Sequence, residues 1–304
     1  MLLKPIKPLP TPQIHLTFSD QWEEYHLLDC GNGLKLEKIG PYRLIRPEAE
    51  AIWKPRLPAE EWENVQATFI PGSGEESGSW KFHQYIPDHW TIKYRDLKIS
   101  IKLSTSRHIG FFPEQAPQWD WINRQVHQAH RPIKILNLFG YTGLATLAAA
   151  QAGAQVTHVD ASQKAIYWAK ENQVFSGLAD KPIRWIVDDA LKFVRRENRR
   201  RNYYDAIILD PPKFGRGPKG EVWEFYKILP TLLEDCRKLL SKNPQFILFT
   251  AYAVKASSLT LFEIINEMMN DHKGNIEAGE LILRDESAGR NLSRAIYANW
   301  SAKN

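Results

Sequence analysis

From residue 132 onward, short apolar runs alternate with segments of helical periodicity, and this alternation restricts the possible folds more than any other feature. The run 133–139 is mostly apolar without a strict period of two, as expected for a parallel strand covered on both faces. The predicted strands are 133–139, 155–159, 183–187, 205–209, 246–250, 278–283 and 293–300. The main predicted helices are 142–152, 162–175, 222–240 and 259–269.

The last two predicted strands have no helix between them, which indicates an antiparallel hairpin that closes the sheet. The sheet of a dinucleotide-dependent dehydrogenase has no such hairpin. The predicted fold class is therefore α/β, with a Rossmann-like, doubly wound, mostly parallel seven-stranded sheet and a terminal antiparallel hairpin.

The residues before 111 differ in composition and periodicity from the rest of the chain. Residues 21–110 are rich in Trp and Pro, and the segment 97–103 alternates apolar and polar residues as a half-buried strand does. We expect a small β-rich (α+β) domain here, which recognises the substrate. Residues 1–20 are proline-rich and lack the apolar stretch of a signal peptide, so we expect a flexible arm. Residues 111–304 are then the catalytic domain, entered through a helix at 119–128.

Composition excludes several classes of protein. No apolar run is long enough for a transmembrane helix, so no membrane partner is expected. The two cysteines, Cys30 and Cys236, have neither metal-ligand spacing nor disulfide density, and the histidines form no metal pattern. We therefore expect a reduced, cytoplasmic protein without a metal site. A formal net charge of +5 is compatible with a polyanionic partner but does not require one. Oligomeric state is not readable from the sequence.

A glycine-containing turn follows the first strand of the predicted sheet. Glycines there allow a tight turn and let backbone N–H groups approach a ligand. Asp160 ends the second strand, 20 residues after Gly140, and can accept hydrogen bonds from ribose hydroxyls; alternatively it caps the helix that begins near residue 162. The candidate cofactor residues are Asn137, Phe139, Gly140, Tyr141, Thr142, Gly143, Asp160 and Ala161.

The spacing of the glycines distinguishes between two possible cofactors, NAD and S-adenosylmethionine. The dinucleotide pattern G-x-G-x-x-G is absent, since two residues separate Gly140 from Gly143 and no third glycine opens the helix. S-adenosylmethionine has no phosphate and tolerates this looser turn. Asp189 and Ala190 follow the third strand, where a carboxylate can accept a hydrogen bond from an adenine amino group. The alternative is that an aspartate here caps the next helix.

The candidate chemical site follows the fourth strand and comprises Asp210, Pro211, Pro212, Lys213 and Phe214. Two consecutive prolines rigidify the backbone and remove two N–H donors, so carbonyls point freely beside the Asp210 carboxylate. Such acceptors hold an amino group in line with a methyl sulfonium, and Phe214 offers a face to a flipped base. The alternative is a strand-terminating turn with a core phenylalanine. Arg216 and Lys219 lie in the loop beyond and are candidate substrate contacts.

These segments resemble motifs of class I S-adenosylmethionine-dependent methyltransferases, and more narrowly the bacterial large-subunit (23S) ribosomal RNA methyltransferase family, over about residues 97–300. The resemblance implies S-adenosylmethionine as cofactor, S-adenosylhomocysteine as product and ribosomal RNA as partner. The segment 110–115 resembles one that closes over the cofactor in that family. It adds Phe112, Glu114 and Gln115 to the candidate cofactor residues.

The chain departs from the family at two places, and the first of them shifts the expected acceptor. Members that methylate C5 of cytosine use a cysteine after the fifth strand, and here residues 249–253 contain none. A base nitrogen is therefore the expected acceptor, although N-methylating enzymes often carry an aromatic residue where Lys213 stands. C5 methylation, a non-nucleic-acid acceptor and a non-catalytic RNA-binding module are the alternatives. At the front, we expect the part before the catalytic domain to be too short to hold both the RNA-binding PUA domain of some members and the β-rich domain.

Overall fold

The computed structural model describes residues 12–72 and 77–303. The strands are β1 (Ile14–Thr17), β2 (Tyr25–Gly31), β3 (Leu34–Ile39), β4 (Tyr42–Pro47), β5 (Ala67–Pro71), β6 (Gly78–Phe82), β7 (His89–Tyr94), β8 (Leu97–Lys102), β9 (Lys134–Leu138), β10 (Gln155–Asp160), β11 (Ile183–Val187), β12 (Ala206–Leu209), β13 (Phe214–Arg216), β14 (Val222–Glu224), β15 (Phe246–Ala251), β16 (Gly274–Arg284) and β17 (Asn291–Ala302). The helices are α1 (Ala59–Glu63), α2 (Ala116–Gln128), α3 (Leu144–Gln151), α4 (Gln163–Phe175), α5 (Ala190–Arg200), α6 (Phe225–Leu239) and α7 (Ser258–Met268).

The large sheet confirms the predicted fold class. Its strand order is β1-β16-β17-β15-β12-β9-β10-β11. Strand β17 is antiparallel to both of its neighbours, β15 and β16, and every other pair in the sheet is parallel. All seven predicted strands are present, and β16 with β17 forms the predicted closing hairpin. The order reverses at β9, so a crevice opens at the carboxyl ends of β9 and β12.

An eighth strand, β1, lies within the segment that the sequence predicts to be a flexible arm. It pairs in parallel with β16, with Ile14 opposite Ala278, and the Thr17 hydroxyl lies 2.8 Å from the Tyr297 hydroxyl. The prediction is therefore wrong for 14–17; residues 1–11 of the predicted arm lie outside the described residues. The physical reason is that β16 would otherwise present an unpaired edge, which a distant strand can cover without any local signal.

Helices cover both faces of the sheet, as a doubly wound fold requires. Alternate side chains of β9 point to opposite faces of the sheet and so pack in different apolar cores. Leu136 and Leu138 pack in the core formed with α5, α6 and α7, whereas Ile135 packs in the core formed with α2 and α3. Asn137 lies on the same side as Ile135 and its amide donates to Thr146 of α3. The predicted helix 222–240 begins later than expected, because residues 222–224 form β14.

The N-terminal region is β-rich, with a five-stranded sheet in the order β2-β3-β4-β5-β6 and a separate hairpin of β7 and β8. This region shares one apolar core with α2 and α3, so the predicted boundary at residue 110 passes through a continuous core. Polar contacts cross the boundary as well. The Trp168 indole donates to the Ser100 carbonyl, and the Thr142 hydroxyl donates to the Gly110 carbonyl. The N-terminal region is therefore packed firmly against α2, α3 and α4 of the catalytic domain.

Within residues 12–72 and 77–303, no helix is both long and apolar enough to cross a membrane. No group of three potential metal ligands occurs in the same part of the chain.

Candidate active site

A cleft with an empty volume of about 510 Å³ opens at the carboxyl ends of β9, β12 and β15. Nine of the twenty residues proposed from the sequence are brought together in its lining. They are Phe112, Gln115, Asn137, Phe139, Gly140, Tyr141, Thr142, Gly143 and Asp210. We call it the cofactor cleft.

The turn from β9 to α3 has an unusual backbone. Phe139 and Tyr141 both adopt left-handed conformations, with φ of 59° and 49°, and Gly143 follows at 86° as the residue that caps α3. Non-glycine residues in this region store strain, which is typical of functional turns. Gly140 is required for a different reason. A Cβ at this position would lie 2.5 Å from Nδ1 of the His158 ring.

A buried polar chain supports this turn from below. The Asn137 amide donates to the Thr146 hydroxyl at 2.8 Å, and that hydroxyl lies 2.9 Å from Nδ1 of His158. Burial lowers the pKa of His158 to about 3, so the ring is neutral at physiological pH. Sequence reasoning did not find His158. The available signal was a histidine inside a strand that the fold class covers on both faces.

Asp160 lies at the end of β10 beside the turn, as predicted, although outside the lining of the cofactor cleft. Its two oxygens accept from the backbone N–H groups of Tyr141, at 2.9 Å, and Ser162, at 2.8 Å. Ser162, not Asp160, caps α4 through a bond from the Ala165 N–H group. Burial raises the pKa of Asp160. Each carboxylate oxygen can accept a second hydrogen bond, so the ribose role is compatible with these contacts. Ala161 directly follows.

The two aspartates after β11, Asp188 and Asp189, differ in how many of their oxygens accept hydrogen bonds. Asp188 uses both oxygens, one for the Asp189 N–H group and the other for Arg196 at 2.6 Å. Asp189 caps α5 by accepting from the Lys192 N–H group at 2.9 Å, so the capping alternative is what the structure contains. That bond uses only Oδ1. Asp189 therefore keeps an oxygen for an adenine amino group, and Ala190 begins the helix beside it.

Asp210 stands at the carboxyl end of β12, where its Oδ2 accepts from the Gln115 amide at 3.2 Å. Its Oδ1 is buried, and no described residue donates to it. Burial, and next the negative charge of Glu114, raise the pKa of Asp210 to about 8, and the Gln115 hydrogen bond opposes this rise. A buried acceptor without a donor is costly, which is typical of a site that a ligand completes.

The double proline behaves only partly as expected. The Pro212 carbonyl accepts from the Trp223 indole at 2.6 Å, so it does not point freely toward a ligand. Among the described residues, none donates to the Pro211 carbonyl, which remains the candidate acceptor beside Asp210. Trp223 also packs on Phe139, with ring centroids 4.8 Å apart, and so joins the two motif loops.

Residues after the double proline form a hairpin of β13 and β14 that projects from the crevice. Phe214 is 56% exposed, which rules out the alternative of a core phenylalanine. Lys213, Arg216 and Lys219 are exposed on the same hairpin. An exposed aromatic ring among cations is suited to contact with a nucleic acid.

Glu114 is buried beside the cofactor cleft, and its predicted cofactor role stays a prediction. It does not line the cofactor cleft, and faces a neighbouring cleft on the other side of Phe112. The reason is local geometry, because consecutive residues of the short turn Pro113–Gln115 point in different directions. Phe112 packs between Tyr141 and Tyr252, at 5.7 and 5.3 Å between centroids, and so divides the two clefts.

Several buried polar atoms around Asp210 have no hydrogen-bond partner among the described residues. They are Glu114 Oε1, Thr250 Oγ1, Tyr252 Oη and Asp210 Oδ1. Buried polar groups are nearly always paired in folded proteins, so such a cluster indicates a binding site. Sequence reasoning missed Thr250 and Tyr252, since only the fold brings β15 beside β12.

The doubly wound sheet, the strained turn and the acidic strand ends together define an α/β protein that binds a nucleoside-containing cofactor. The chain matches the model of the S-adenosylmethionine-dependent methyltransferase family over residues 66–267, more than half of its length, and belongs to that family. S-adenosylmethionine is its cofactor, and the protein is a methyltransferase.

Three similar proteins illustrate the relationship. A solved structure of a SAM-dependent methyltransferase from Agrobacterium tumefaciens is 44% identical, covers 99% of this chain and 98% of that one, and superposes with a TM-score of 0.92. Ribosomal RNA large subunit methyltransferase K/L of Hahella chejuensis is 34% identical over 53% of this chain and 22% of its own length. Ribosomal RNA large subunit methyltransferase I of Alteromonas mediterranea is 32% identical over 43% of this chain and 32% of its own length. The chain thus spans less than a third of either curated relative.

The cofactor cleft fits the group that the family implies. The turn at Gly140–Gly143 gives close backbone approach, and Asp160 and Asp189 each keep acceptor capacity. Among the described residues that line the cleft, none is a lysine or an arginine, which agrees with a cofactor that has no phosphate.

We expect a thermal-shift assay to reproduce this choice of cofactor. S-adenosylhomocysteine at 100 times its dissociation constant should stabilise the protein by about 2.7 kcal/mol, whereas NAD at the same concentration should have no effect. The measurement is the melting temperature in a ligand titration. Stabilisation by NAD alone would contradict our assignment of the turn.

Proposed function

We propose that this methyltransferase transfers its methyl group to an amino nitrogen of a base in RNA, most specifically ribosomal RNA. The observation that carries the proposal is the unsatisfied Asp210 Oδ1 beside the Pro211 carbonyl. Two acceptors at the end of one strand match the two N–H groups of an exocyclic amine. The candidate catalytic residues are Asp210, Pro211, Pro212, Lys213 and Phe214.

The chemistry needs alignment more than a strong base. When both N–H groups are held by acceptors, the nitrogen lone pair is fixed and can point at the methyl carbon of the sulfonium. The new N–C bond forms as the S–C bond breaks, and the nitrogen then releases one proton. Asp210, whose pKa is raised to about 8 mainly by burial, is suited to accept this proton near neutral pH.

The cysteines of the chain support nitrogen rather than ring carbon as the acceptor. Tyr252 follows the end of β15, where the C5 chemistry would need a thiol. Cys236 is fully buried in the core under α6, and burial raises the pKa of its thiol strongly. Burial also raises the pKa of Cys30 to about 11. Neither thiol is suited to nucleophilic attack on a base.

The choice of RNA is supported by the names of the curated relatives, which are ribosomal RNA methyltransferases. The exposed hairpin with Phe214, Arg216 and Lys219 offers a ring and cations to a single strand. We also propose that the protein acts in the cytoplasm, where ribosomal RNA is found. The β-rich region at 21–110 would then form one wall of the RNA-binding surface.

The proposed function is tested by comparing the modified nucleosides of ribosomal RNA from cells with and without the gene. We expect one N-methylated nucleoside to disappear from the deletion strain, as measured by mass spectrometry of digested RNA. The purified enzyme should then restore it on RNA from that strain. Loss of a C5-methylated pyrimidine instead, or no change in any RNA class, would contradict the proposal.

A further inference from the structure

A second cleft, with an empty volume of about 370 Å³ that includes the open solvent at its mouth, lies across Phe112 from the cofactor cleft. It is formed where strands β3 and β4 of the N-terminal region meet β17 and the segment before α2. Four basic side chains line it, and we call it the basic cleft. They are Lys35, Arg46, Arg107 and Arg294.

Three of these four cations are held in place by buried glutamates. Arg46 makes a bidentate pair with Glu37, at 2.7 and 2.8 Å. Arg294 pairs with Glu48, and Lys35 lies 3.4 Å from Glu37 and 3.7 Å from Glu48. Because these pairs are buried, the side chains keep one arrangement. The cleft is therefore preorganised, and an anion that enters it does not have to order its walls.

Arg107 is different from the other three. Among the residues that the structure describes, no carboxylate pairs with its guanidinium, and its Nε is buried without a hydrogen-bond partner. Its backbone is fixed, since its carbonyl accepts from Arg46 Nη1 at 3.0 Å. A buried N–H of a guanidinium without an acceptor costs free energy in the unliganded protein. This cation is therefore available to an anionic ligand.

One carboxylate also lines the cleft: Glu114 Oε1 lies 3.9 Å from Arg294 Nε and further neutralises that cation, which leaves Arg107 as the lining cation least compensated by a carboxylate of the described residues. The position of the cleft relative to the chemistry is equally informative. Phe112 lines both clefts, and Gln115, one residue after Glu114, bonds to Asp210 on the other side. A group bound here would lie across Phe112 from Asp210, next to the proposed chemical site.

We propose that the basic cleft binds a backbone phosphate of the RNA strand next to the target nucleotide, with Arg107 as the principal contact. This inference rests on the proposed RNA acceptor. Guanidinium forks match the geometry of phosphate oxygens, and cations fixed by buried partners raise specificity for position as well as charge. The phosphate fixes the register of the strand, and the base can then turn toward Asp210.

The test compares Arg107→Gln with Arg124→Gln, a matched loss of one exposed charge on α2. Binding of a short, fluorescently end-labelled, mixed-sequence single-stranded RNA is measured by anisotropy over a salt series, in the presence of S-adenosylhomocysteine. We expect Arg107→Gln to lower the affinity roughly 10-fold. It should also reduce the slope of log K against log salt by about 0.7, as expected for one phosphate contact fewer on a single strand. Arg124→Gln should change neither quantity.

Two controls separate the possible failures. Affinity for S-adenosylhomocysteine, measured by calorimetry, should be unchanged in both variants, which shows that the fold is intact. If wild-type protein binds RNA and Arg107→Gln behaves like Arg124→Gln, the phosphate site is overturned while the RNA acceptor stands. If wild-type protein binds no RNA, both proposals fail together. Displacement of the RNA by an equal concentration of AMP would overturn the assignment to a strand phosphate.

Discussion

Asp210→Ala is expected to abolish methyl transfer and to leave cofactor binding nearly intact. The carboxylate accepts a hydrogen bond from Gln115 at 3.2 Å and keeps one buried oxygen for the acceptor, so its removal takes away the alignment of the nucleophile. Losses from removing such a group are on the order of 1,000-fold in kcat/KM. Single-turnover methylation of RNA from the deletion strain and calorimetry with S-adenosylhomocysteine measure the two quantities separately.

Asp210→Asn separates charge from shape at the same position. The amide keeps one acceptor oxygen but cannot take up a proton, so activity should fall less than in the alanine variant. In wild type, the carboxylate form is present above the pKa of about 8, which burial raises, so kcat/KM should rise with pH and level off there. The asparagine variant should lack this rise. Full activity of Asp210→Ala, with Asp180→Ala as an exposed control, would show that the chemical site lies elsewhere.

Asp210→Asn should also stabilise the folded protein. Asp210 has a pKa of about 8 in the folded protein, because of burial, against an ordinary value of 3.8. Between these pH values the folded state binds more protons than the unfolded chain, so stability falls as pH rises through this window. Asp210→Asn removes this loss of stability. Its melting temperature at pH 8 should therefore lie several degrees above that of wild type, since each kcal/mol of stability corresponds to about 2 °C or more. The gain should shrink toward pH 4.

Elements of the catalytic domain were predictable because each one carries its own local signal. The apolar run that became β9, the glycines after it and the double proline after β12 depend on residues that are neighbours in sequence. Parallel strands in a doubly wound sheet bring their carboxyl ends together, so the fold class alone places Gly140 and Asp210 at one edge of the sheet.

Features that depend on distant partners were not predictable in this way. The strand β1 exists because β16 has an edge to cover, and the Pro212 carbonyl is occupied because Trp223 folds back over it. Likewise, Glu114 and Gln115 are adjacent in sequence but face different clefts. Side-chain direction in a short turn is decided by packing around Phe112, which no local pattern encodes.

Gly140→Ala is expected to cause the largest structural loss of any single methyl group added to the cofactor turn. Its Cβ would lie 2.5 Å from Nδ1 of His158, a ring that is fully buried and hydrogen-bonded to Thr146. The ring cannot move aside, so the turn must shift. Over-packing of this kind costs about 3 kcal/mol at the upper end of its usual range. The shifted turn should also lose affinity for S-adenosylhomocysteine, since its backbone lines the cofactor cleft.

Backbone strain is not the reason for this loss, and two further variants show the difference. Gly153 has a φ of 102° but open space around it, so Gly153→Ala tests strain alone and should cost about 1 kcal/mol without affecting cofactor binding. His158→Ala removes the ring that a Cβ at residue 140 would meet. In that background Gly140→Ala should cost much less than in wild type, and denaturant unfolding of the four proteins in the cycle gives the coupling energy. Additive effects at the two positions would contradict a direct clash, because a turn that fails for any other reason has no cause to recover when His158 is gone.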